Sequence, residues 1–556
     1  MDIIEHPSEF HISIGFNQWF KRNTQAVKAL PDRRWNPVKK VWIIPGHARN
    51  AVYELRKTHH ANIRLAAMLA PEQVGEIAPM PDLEVELPLK ADLRPYQRQG
   101  IARGMQLRRL LVGDEQGLGK TLQSIGIVVG IEAALKQASF PCLVICPSST
   151  KMNWKREWEK FSNKRAMILE DKVKTTWHTY WNAGMSDVFI TNYESLKKYF
   201  VTSVPAKQKG ERLLAKEIEM RSTISLFKSV IVDESHRCKD ASTMQAKLVL
   251  RMCHGKENVL LLSGTPVVNK PIDLFPQLAI MNHAGTFGGR KDFLDRFCEG
   301  GRGASNLKEL NFLLNKYCFF RREKKDVAKD LPEKQRQTIV CDITTRIEYN
   351  RAKNNFMQFL KDNGCDDREI ARKMKGEIMV QMGKLKQISA LGKMNEVQEF
   401  TQEILDAGEK LILFCSLHQI VDKLKELFPH AVTITGRDDM VSRQRSIDSF
   451  QQDPKCQLII CNIKAAGVGI TLTASSRVAF VEYPWTYADC VQCEDRAHRI
   501  GQTNNVMCTY FLGGDTIDER LFEIIQEKKT VGNAITGATD TMEMAMVDKM
   551  LNLFNI

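Results

Sequence analysis

Short apolar runs rich in β-branched residues recur from residue 91 onward: LLVG (110–113), CLVIC (142–146), VFIT (188–191), VIVD (230–233) and VLLLS (259–263). Each run is continuous, not alternating, and longer stretches of helical character separate them. A strand that is apolar on both faces must be covered on both faces, so the pattern predicts a parallel sheet between layers of helices. A second series, LILFC (411–415), AVTITG (431–436), LIIC (458–461), VAFVEY (478–483) and VMCTYFL (506–512), predicts a second α/β lobe. Between the two, residues 276–395 are polar and basic with helical periodicity and few strand signals, which predicts a helical insertion.

The chain before residue 91 has a different character. Residues 71–90 hold four prolines and five acids against one lysine, a composition suited to a linker. The expected order is therefore a small α+β module (1–70), a linker (71–90), a first lobe (91–275), the insertion (276–395), a second lobe (396–530) and an amphipathic tail (531–556) suited to pack on the second lobe or on a partner.

Charge adds a partner class. The chain carries 80 Lys and Arg against 66 Asp and Glu, a net +14, and residues 1–70 alone hold eleven bases and five acids. A surplus of this size favours an anionic partner, nucleic acid first. The 43% hydrophobic and 26% charged content excludes a disordered chain, a collagen-like chain and a small disulfide scaffold. No apolar stretch approaches the length of a membrane span, and MDIIEHPSEF lacks the apolar core of a secretory signal. The 14 cysteines are scattered singly, several in apolar runs (Cys146, Cys461), as expected for reduced thiols inside a cell. Cys490 and Cys493 form the C-x-x-C pair, but with no second pair at zinc spacing they read as small residues on a helix.

The candidate chemistry begins after LLVG. In DEQGLGKT (114–121) small residues let backbone N–H groups wrap a phosphate, Lys120 reaches the β- and γ-phosphates, and Thr121 holds Mg²⁺. A strict phosphate loop would place glycine at 114, where this chain has Asp114. The plainer reading is a glycine turn with a surface lysine, and the placement between a strand and a helix favours the phosphate loop. Asp233-Glu234-Ser235-His236 ends the strand VIVD, where one carboxylate can hold the water shell of Mg²⁺ and the next can orient the attacking water. Ser263-Gly264-Thr265-Pro266 ends the following strand. In the second lobe, AAGVGITLTA (465–474) supplies Gly469 and Thr471 in a strand-to-helix loop. Arg496 and Arg499 in QCEDRAHRIGQ stand at i, i+3, one face of a helix, and either serve a nucleotide or are solvated.

These pieces in this order resemble the Swi/Snf family of superfamily-two helicase-like ATPases, over roughly residues 90–530. LRPYQRQG (93–100) is similar to the family's adenine-reading motif, with Gln97 as the contact. DEQGLGKT matches its phosphate loop, which also has aspartate first, so Asp114, Glu115, Gln116, Gly117, Leu118 and Gly119 join Lys120 and Thr121 as nucleotide-site residues. CPSSTKMNWKREWEKF (146–161), ITNYE (190–194), LLSGTPVVNKPIDLF (261–275), FFRREKKDVAKDLPEK (319–334), DRAHRIGQ (495–502) and FLGGDTIDERLFEIIQEK (511–528) resemble further family segments. AAGVGI departs from the family's usual A-G-G-L-G-I.

The resemblance implies two RecA-like lobes with ATP and Mg²⁺ between them. Thr121 and Asp233 would hold the metal, Glu234 the water, and Arg496 and Arg499 would close the site. It also implies movement along double-stranded or forked DNA, with Ser148, Asn192, Thr265 and Thr471 facing it. FKRNTQAVKALPDRRWNPVKKVWIIP (20–45) resembles the HARP module that precedes the motor in annealing helicases. There Arg33, Arg34, Lys39 and Lys40 interleave with Trp35 and Trp42, offering phosphate contacts beside stacking faces; the alternative is two core tryptophans and solvated bases. The expectation is a monomeric DNA-dependent ATPase with no membrane association. A compact bacterial or phage member would act in the cytoplasm, nucleoid or host cytoplasm. A strand-separating helicase, a nucleosome-remodelling motor and a non-catalytic DNA scaffold are the rival readings.

Overall fold

The computed structural model describes residues 2–5, 9–14, 20–37, 41–45, 48, 51–52, 54–55, 62–65, 75–206, 208, 211–264, 271–299, 303–363, 375–466 and 469–532. The chain divides into two compact units. One draws on Met1–Pro79, His236–Gly255 and Lys270–Phe319, and the other on Met80–Ser235, Lys256–Asn269 and Phe320–Ile556.

The first unit contains a five-stranded sheet in the order Arg34–Asn36, Val41–Pro45, Glu9–Ser13, Asp2–Glu5, Asn62–Leu65. Its pairings are antiparallel apart from the last, which is parallel. Phe10 and Ile12, two apart on one strand and so on one face, are both buried with Ile3, Val27, Ile44 and Val52. This unit also holds the helices Met244–Cys253, Gly289–Phe297 and Leu307–Tyr317. Phe275, Phe287 and Phe297 gather around Phe293 with ring centroids 5.3–6.2 Å apart. The helical character expected of residues 276 onward is present here.

The second unit carries both α/β lobes. In the first sheet the order is Phe319–Phe320, Arg109–Val112, Asn258–Leu262, Ser229–Asp233, Cys142–Cys146, Val188–Asn192, Ala166–Ile168. The pairings from Arg109–Val112 onward are parallel. The second sheet is parallel throughout: Lys334–Cys341, Val506–Gly513, Arg477–Phe480, Leu411–Cys415, Leu458–Asn462, Val432–Ile434. Every apolar run named above contributes a strand; the continuous runs lie in central strands, which have no polar face to interrupt them, while AVTITG, with its threonines, gives the edge strand Val432–Ile434.

Two of the expected boundaries shift. Lys334–Cys341 falls inside the stretch expected to be a helical insertion, yet it pairs along its whole length with Val506–Gly513 in the second sheet. It is an edge strand, mostly exposed from Gln335 to Val340, and its first half, KQRQ, is polar, so only the short IVC at its end signals a strand. The expected linker also ends early. From residue 80 the chain packs on the first lobe: Leu83 is buried, and Leu87 and Leu89 lie against the same core. Arg98 donates to the Leu83 carbonyl at 2.7 Å, and the Lys90 N–H donates to the Phe161 carbonyl at 2.9 Å. Leu83, Leu87 and Leu89 supply the apolar contacts of this segment, while Val85 between them is exposed.

Thirteen cysteines, Cys490 and Cys493 among them, are free and buried; Cys365 lies outside the described residues. Among the described residues no helix is long and apolar enough to cross a membrane. The tail after residue 532 lies outside the described residues.

Candidate active site

The strand Arg109–Val112 delivers the chain to DEQGLGKT, and the helix Lys120–Ala133 leaves it. Gly117 (φ +86°) and Gly119 (φ +75°) are left-handed, a conformation that costs glycine little. Space excludes a side chain at Gly119 as well, since a Cβ there would stand 2.6 Å from Gln97 Nε2. The helix has no side-chain cap at its start, so its first backbone N–H groups remain free of a capping side chain, as a phosphate site requires. Lys120 Nζ donates to the carbonyls of Asp114 at 2.7 Å and Glu115 at 3.3 Å. Burial lowers its pKa, and the nearby charges of Glu234, Asp114 and Asp233 oppose that shift. Thr121 follows it in the first helical turn.

The loop residues expected around the nucleotide divide into two groups. Asp114 is fully buried, and its carboxylate is filled. It accepts from the Arg322 N–H at 3.1 Å, from Arg322 Nε at 3.0 Å and from Gln123 Nε2 at 3.0 Å, with Arg322 Nη2 as a further donor. Glu115 accepts the Lys324 N–H at 2.7 Å. Gln97 is buried with both ends of its amide engaged, by the Arg94 N–H at 3.1 Å and the Leu118 carbonyl at 3.4 Å. In this state Asp114, Glu115 and Gln97 brace the loop. Gln116 instead meets the second lobe, its Oε1 accepting from Arg496 Nη2 at 3.2 Å.

Asp233 ends its strand next to this loop. Its carboxylate accepts from Trp154 Nε1 at 2.9 Å and from the Glu234 N–H at 3.0 Å. Burial, and then the neighbouring Glu234 charge, push the Asp233 carboxyl up to about 6. Glu234 takes φ +53°, a left-handed turn in a residue other than glycine, which reverses the chain directly after the strand. Tyr193 secures that turn by donating its hydroxyl to the Asp233 carbonyl at 2.5 Å. Neither Trp154 nor Tyr193 was singled out from the sequence. The only signal was an aromatic with a polar tip inside each of two motif segments. At the end of the neighbouring strand, a Cβ on Gly264 would stand 3.0 Å from Gln116 Cγ and 3.6 Å from Lys120 Nζ. Thr265 lies outside the described residues.

The two arginines do not share a helix face. The helix Tyr487–Glu494 stops before them, and the backbone continues in tight turns: Arg496 N–H to Cys493 O at 3.0 Å, Ala497 N–H to Glu494 O at 3.1 Å. Buried ion pairs at Glu494 and Asp495 hold the chain where a helix would have continued. Both arginines nonetheless converge on one carbonyl, Ile470 O, at 3.3 Å from Arg496 and 3.0 Å from Arg499. Burial, then the Arg496 charge, bring Arg499 down to about 10. Gly469 (φ +72°) lies so close to Thr150 that any Cβ would collide with its side chain.

Residues expected to face DNA separate likewise. Ser148 and Thr471 line one cleft of about 440 Å³, with Asn153, Gln444, Gln451 and Gly469. Arg156 and Asp448 pair beside it at 3.2 Å. Asn192 is not among the residues lining that cleft; it is tied into its own loop by Glu194 at 2.8 Å and Ser195 at 2.8 Å. In the N-terminal module Trp35 is 46% exposed, with its ring centroid 5.2 Å from that of Trp42 on the paired strand. Arg34 is exposed, Arg33 donates to the Leu30 carbonyl at 3.3 Å, and Lys39 and Lys40 lie outside the described residues.

The profile of the SNF2-related domain matches residues 43–396, and that of the helicase conserved C-terminal domain matches residues 393–501. The chain belongs to the SNF2-related family. It is 28% identical to the Caenorhabditis elegans SWI/SNF-related matrix-associated actin-dependent regulator of chromatin subfamily A-like protein 1 homolog, over 98% of this chain and 77% of that protein. The Xenopus tropicalis protein of that subfamily is 30% identical over 83% of this chain and 47% of its own length. Human DNA annealing helicase and endonuclease ZRANB3 is 28% identical over 83% of this chain and 42% of its own length. The chain thus spans less than half of the frog and human relatives. Among solved structures, the Sulfolobus solfataricus SWI2/SNF2 ATPase core in complex with dsDNA is 25% identical, covering 84% of this chain and 97% of that one, with a TM-score of 0.39.

In this SNF2-related ATPase the segment that resembled the family without suggesting a role, residues 319–334, joins the two halves of the site. Arg322 fills Asp114 in the phosphate loop. Lys324 pairs with Asp495 at 2.7 Å, and Lys334 pairs with Glu494 at 2.9 Å and Asp495 at 3.1 Å. Arg336 binds Glu494 through both Nε and Nη2, at 2.5 and 2.6 Å. Glu494 and Asp495 are almost fully buried, so these partners are what keep them charged.

Proposed function

We propose that this chain is a motor that couples ATP hydrolysis to movement along double-stranded DNA. The observation that carries the reading is the reach of Arg496 from the second lobe to Gln116 in the phosphate loop of the first, at 3.2 Å. Groups from both lobes meet at one loop, so a nucleotide bound there is sensed by both.

The phosphate chain of ATP binds the uncapped start of the helix Lys120–Ala133, with Lys120 leaving its two carbonyl partners for the phosphate oxygens. Thr121 and Asp233 would hold Mg²⁺, which would neutralise phosphate charge. The residues fit it: Asp233 is a carboxylate at the strand end, fixed by Trp154 and the Glu234 N–H, with a second carboxylate, Glu234, next to it. Glu234, one residue past the strand, orients the attacking water and takes its proton. Arg496 and Arg499 stabilise the charge that develops on the transferred phosphoryl group.

DNA crosses the cleft lined by Ser148 and Thr471, and residues 1–70 form a HARP-like module that adds contacts through Trp35 and Arg34. The names of the relatives, an annealing helicase among them, favour fork remodelling or annealing over plain strand separation. The test is ATP hydrolysis by the full chain without nucleic acid and with single strands, duplex and forked DNA, with Lys120→Ala as the blank. Duplex or fork stimulation supports the motor. Retained hydrolysis in Lys120→Ala overturns the site assignment, and equal rates with and without every DNA overturn the motor.

A further inference from the structure

Lys324 touches both halves of the site at once. Its backbone N–H donates to the Glu115 carboxylate, in the phosphate loop, at 2.7 Å. Its ammonium lies among the arginine turns, 2.7 Å from Asp495 Oδ1 and 3.0 Å from the His498 carbonyl oxygen. Those two partners immediately precede Arg496 and Arg499. One buried lysine side chain, 8% exposed, therefore grips the residue before each of the two arginines, while its own main chain is fastened to the phosphate loop. Two residues upstream, Arg322 locks the same loop through Asp114. A Cβ at Gly117 would stand 3.2 Å from Lys324 Cε and 3.1 Å from Arg499 Cβ, so loop, lysine and arginine turn are in close packing.

We infer that Lys324 is a positioning residue for turnover, holding Arg496 and Arg499 in register with the phosphate loop. The inference rests on the nucleotide-site reading above. An ammonium suits the task because one atom carries several donors and can serve a carboxylate and a carbonyl together. The placement is relayed through the residues on either side: Lys324 holds the Asp495 carboxylate just before Arg496 and the His498 carbonyl just before Arg499, so both arginines start from held neighbours. Lys324 need not meet the nucleotide.

The test uses the full chain with duplex DNA. Lys324→Met keeps the stem and removes the charge, and Asp495 keeps Lys334 at 3.1 Å, so no carboxylate is left unpaired. Misplacing catalytic groups by about an ångström costs up to about a hundredfold. The expected result is kcat lowered at least about tenfold, with affinity for a fluorescent non-hydrolysable ATP analogue nearly unchanged. Lys324→Arg should restore most of the loss. Wild-type kcat in Lys324→Met, alongside an inactive Lys120→Ala, overturns the inference and leaves the nucleotide site standing. Normal turnover by Lys120→Ala overturns both. Should Lys324→Met melt below the assay temperature, Lys324→Gln supplies the same comparison. A loss of analogue binding equal to the loss of turnover would then assign Lys324 to structural support, against the inference.

Discussion

The indole N–H of Trp154 donates to the carboxylate of Asp233 at 2.9 Å, so the helix Lys151–Phe161 holds the acid that ends the strand Ser229–Asp233. The bond favours the charged carboxylate against burial and Glu234. Trp154→Phe keeps the ring bulk and removes the donor. A hydrogen bond to a charged group is worth about 1.5–3 kcal/mol. The expected outcome is a shift of the ATPase Mg²⁺ titration to higher concentration with the fold intact by circular dichroism. An unshifted titration would separate Asp233 from the metal.

Gly469→Ala introduces a methyl where the backbone is left-handed and the Thr150 side chain already stands. The second lobe must then withdraw from the first. Nucleotide binding should persist through Lys120 while kcat falls at least about tenfold, given the distance sensitivity of positioned groups. Thr150→Ser in the same chain removes the colliding methyl and should recover part of the rate.

His498 gives a signed pH dependence. Burial, with the Lys324 charge next, brings its pKa from 6.5 down to about 4. The unfolded chain therefore binds more protons than the folded one between those values, and stability rises with pH across that interval. The contribution is complete above about 6.5 and is lost as pH falls towards about 4. Its Nε2–H donates to the Pro332 carbonyl at 2.8 Å, a bond a glutamine amide can imitate. His498→Gln should flatten the melting-temperature profile over this range; an identical slope would assign the acid sensitivity elsewhere.

Trp35 and Trp42 should behave differently. Trp35 is half exposed, whereas Trp42 packs against the buried cluster around Phe10 and Ile44. Trp35→Ala should weaken duplex or fork binding, measured by anisotropy, by the ~1–3 kcal/mol of one stacked base, with melting little altered. Trp42→Ala should destabilise the module. Unchanged DNA affinity in Trp35→Ala would leave Trp35 an ordinary surface aromatic.

Central strands and the strand–loop–helix around DEQGLGKT were legible because each is a local pattern: an apolar run, two glycines, a lysine. The edge strand Lys334–Cys341 was not, since its exposed first half, KQRQ, is polar and its apolar signal is confined to the last three residues. The bracing role of Asp114 was equally hidden. Its partner Arg322 is 208 residues away, and no local spacing records that meeting. Arg496 and Arg499 were found as residues but misplaced on a helix, because the ion pairs that end the helix come from Lys324 and Lys334, far upstream.

The thirteen described thiols are all sequestered from solvent. Once Cys365 is changed to serine, a dye reagent in water meets only the cysteines an experimenter installs. Arg156 and Asp448, paired beside the cleft at 3.2 Å and each well exposed, are natural attachment points. The separation of two fluorophores there would report each opening and closing of the cleft during a cycle of hydrolysis, with the interior chemistry of the native chain left in place.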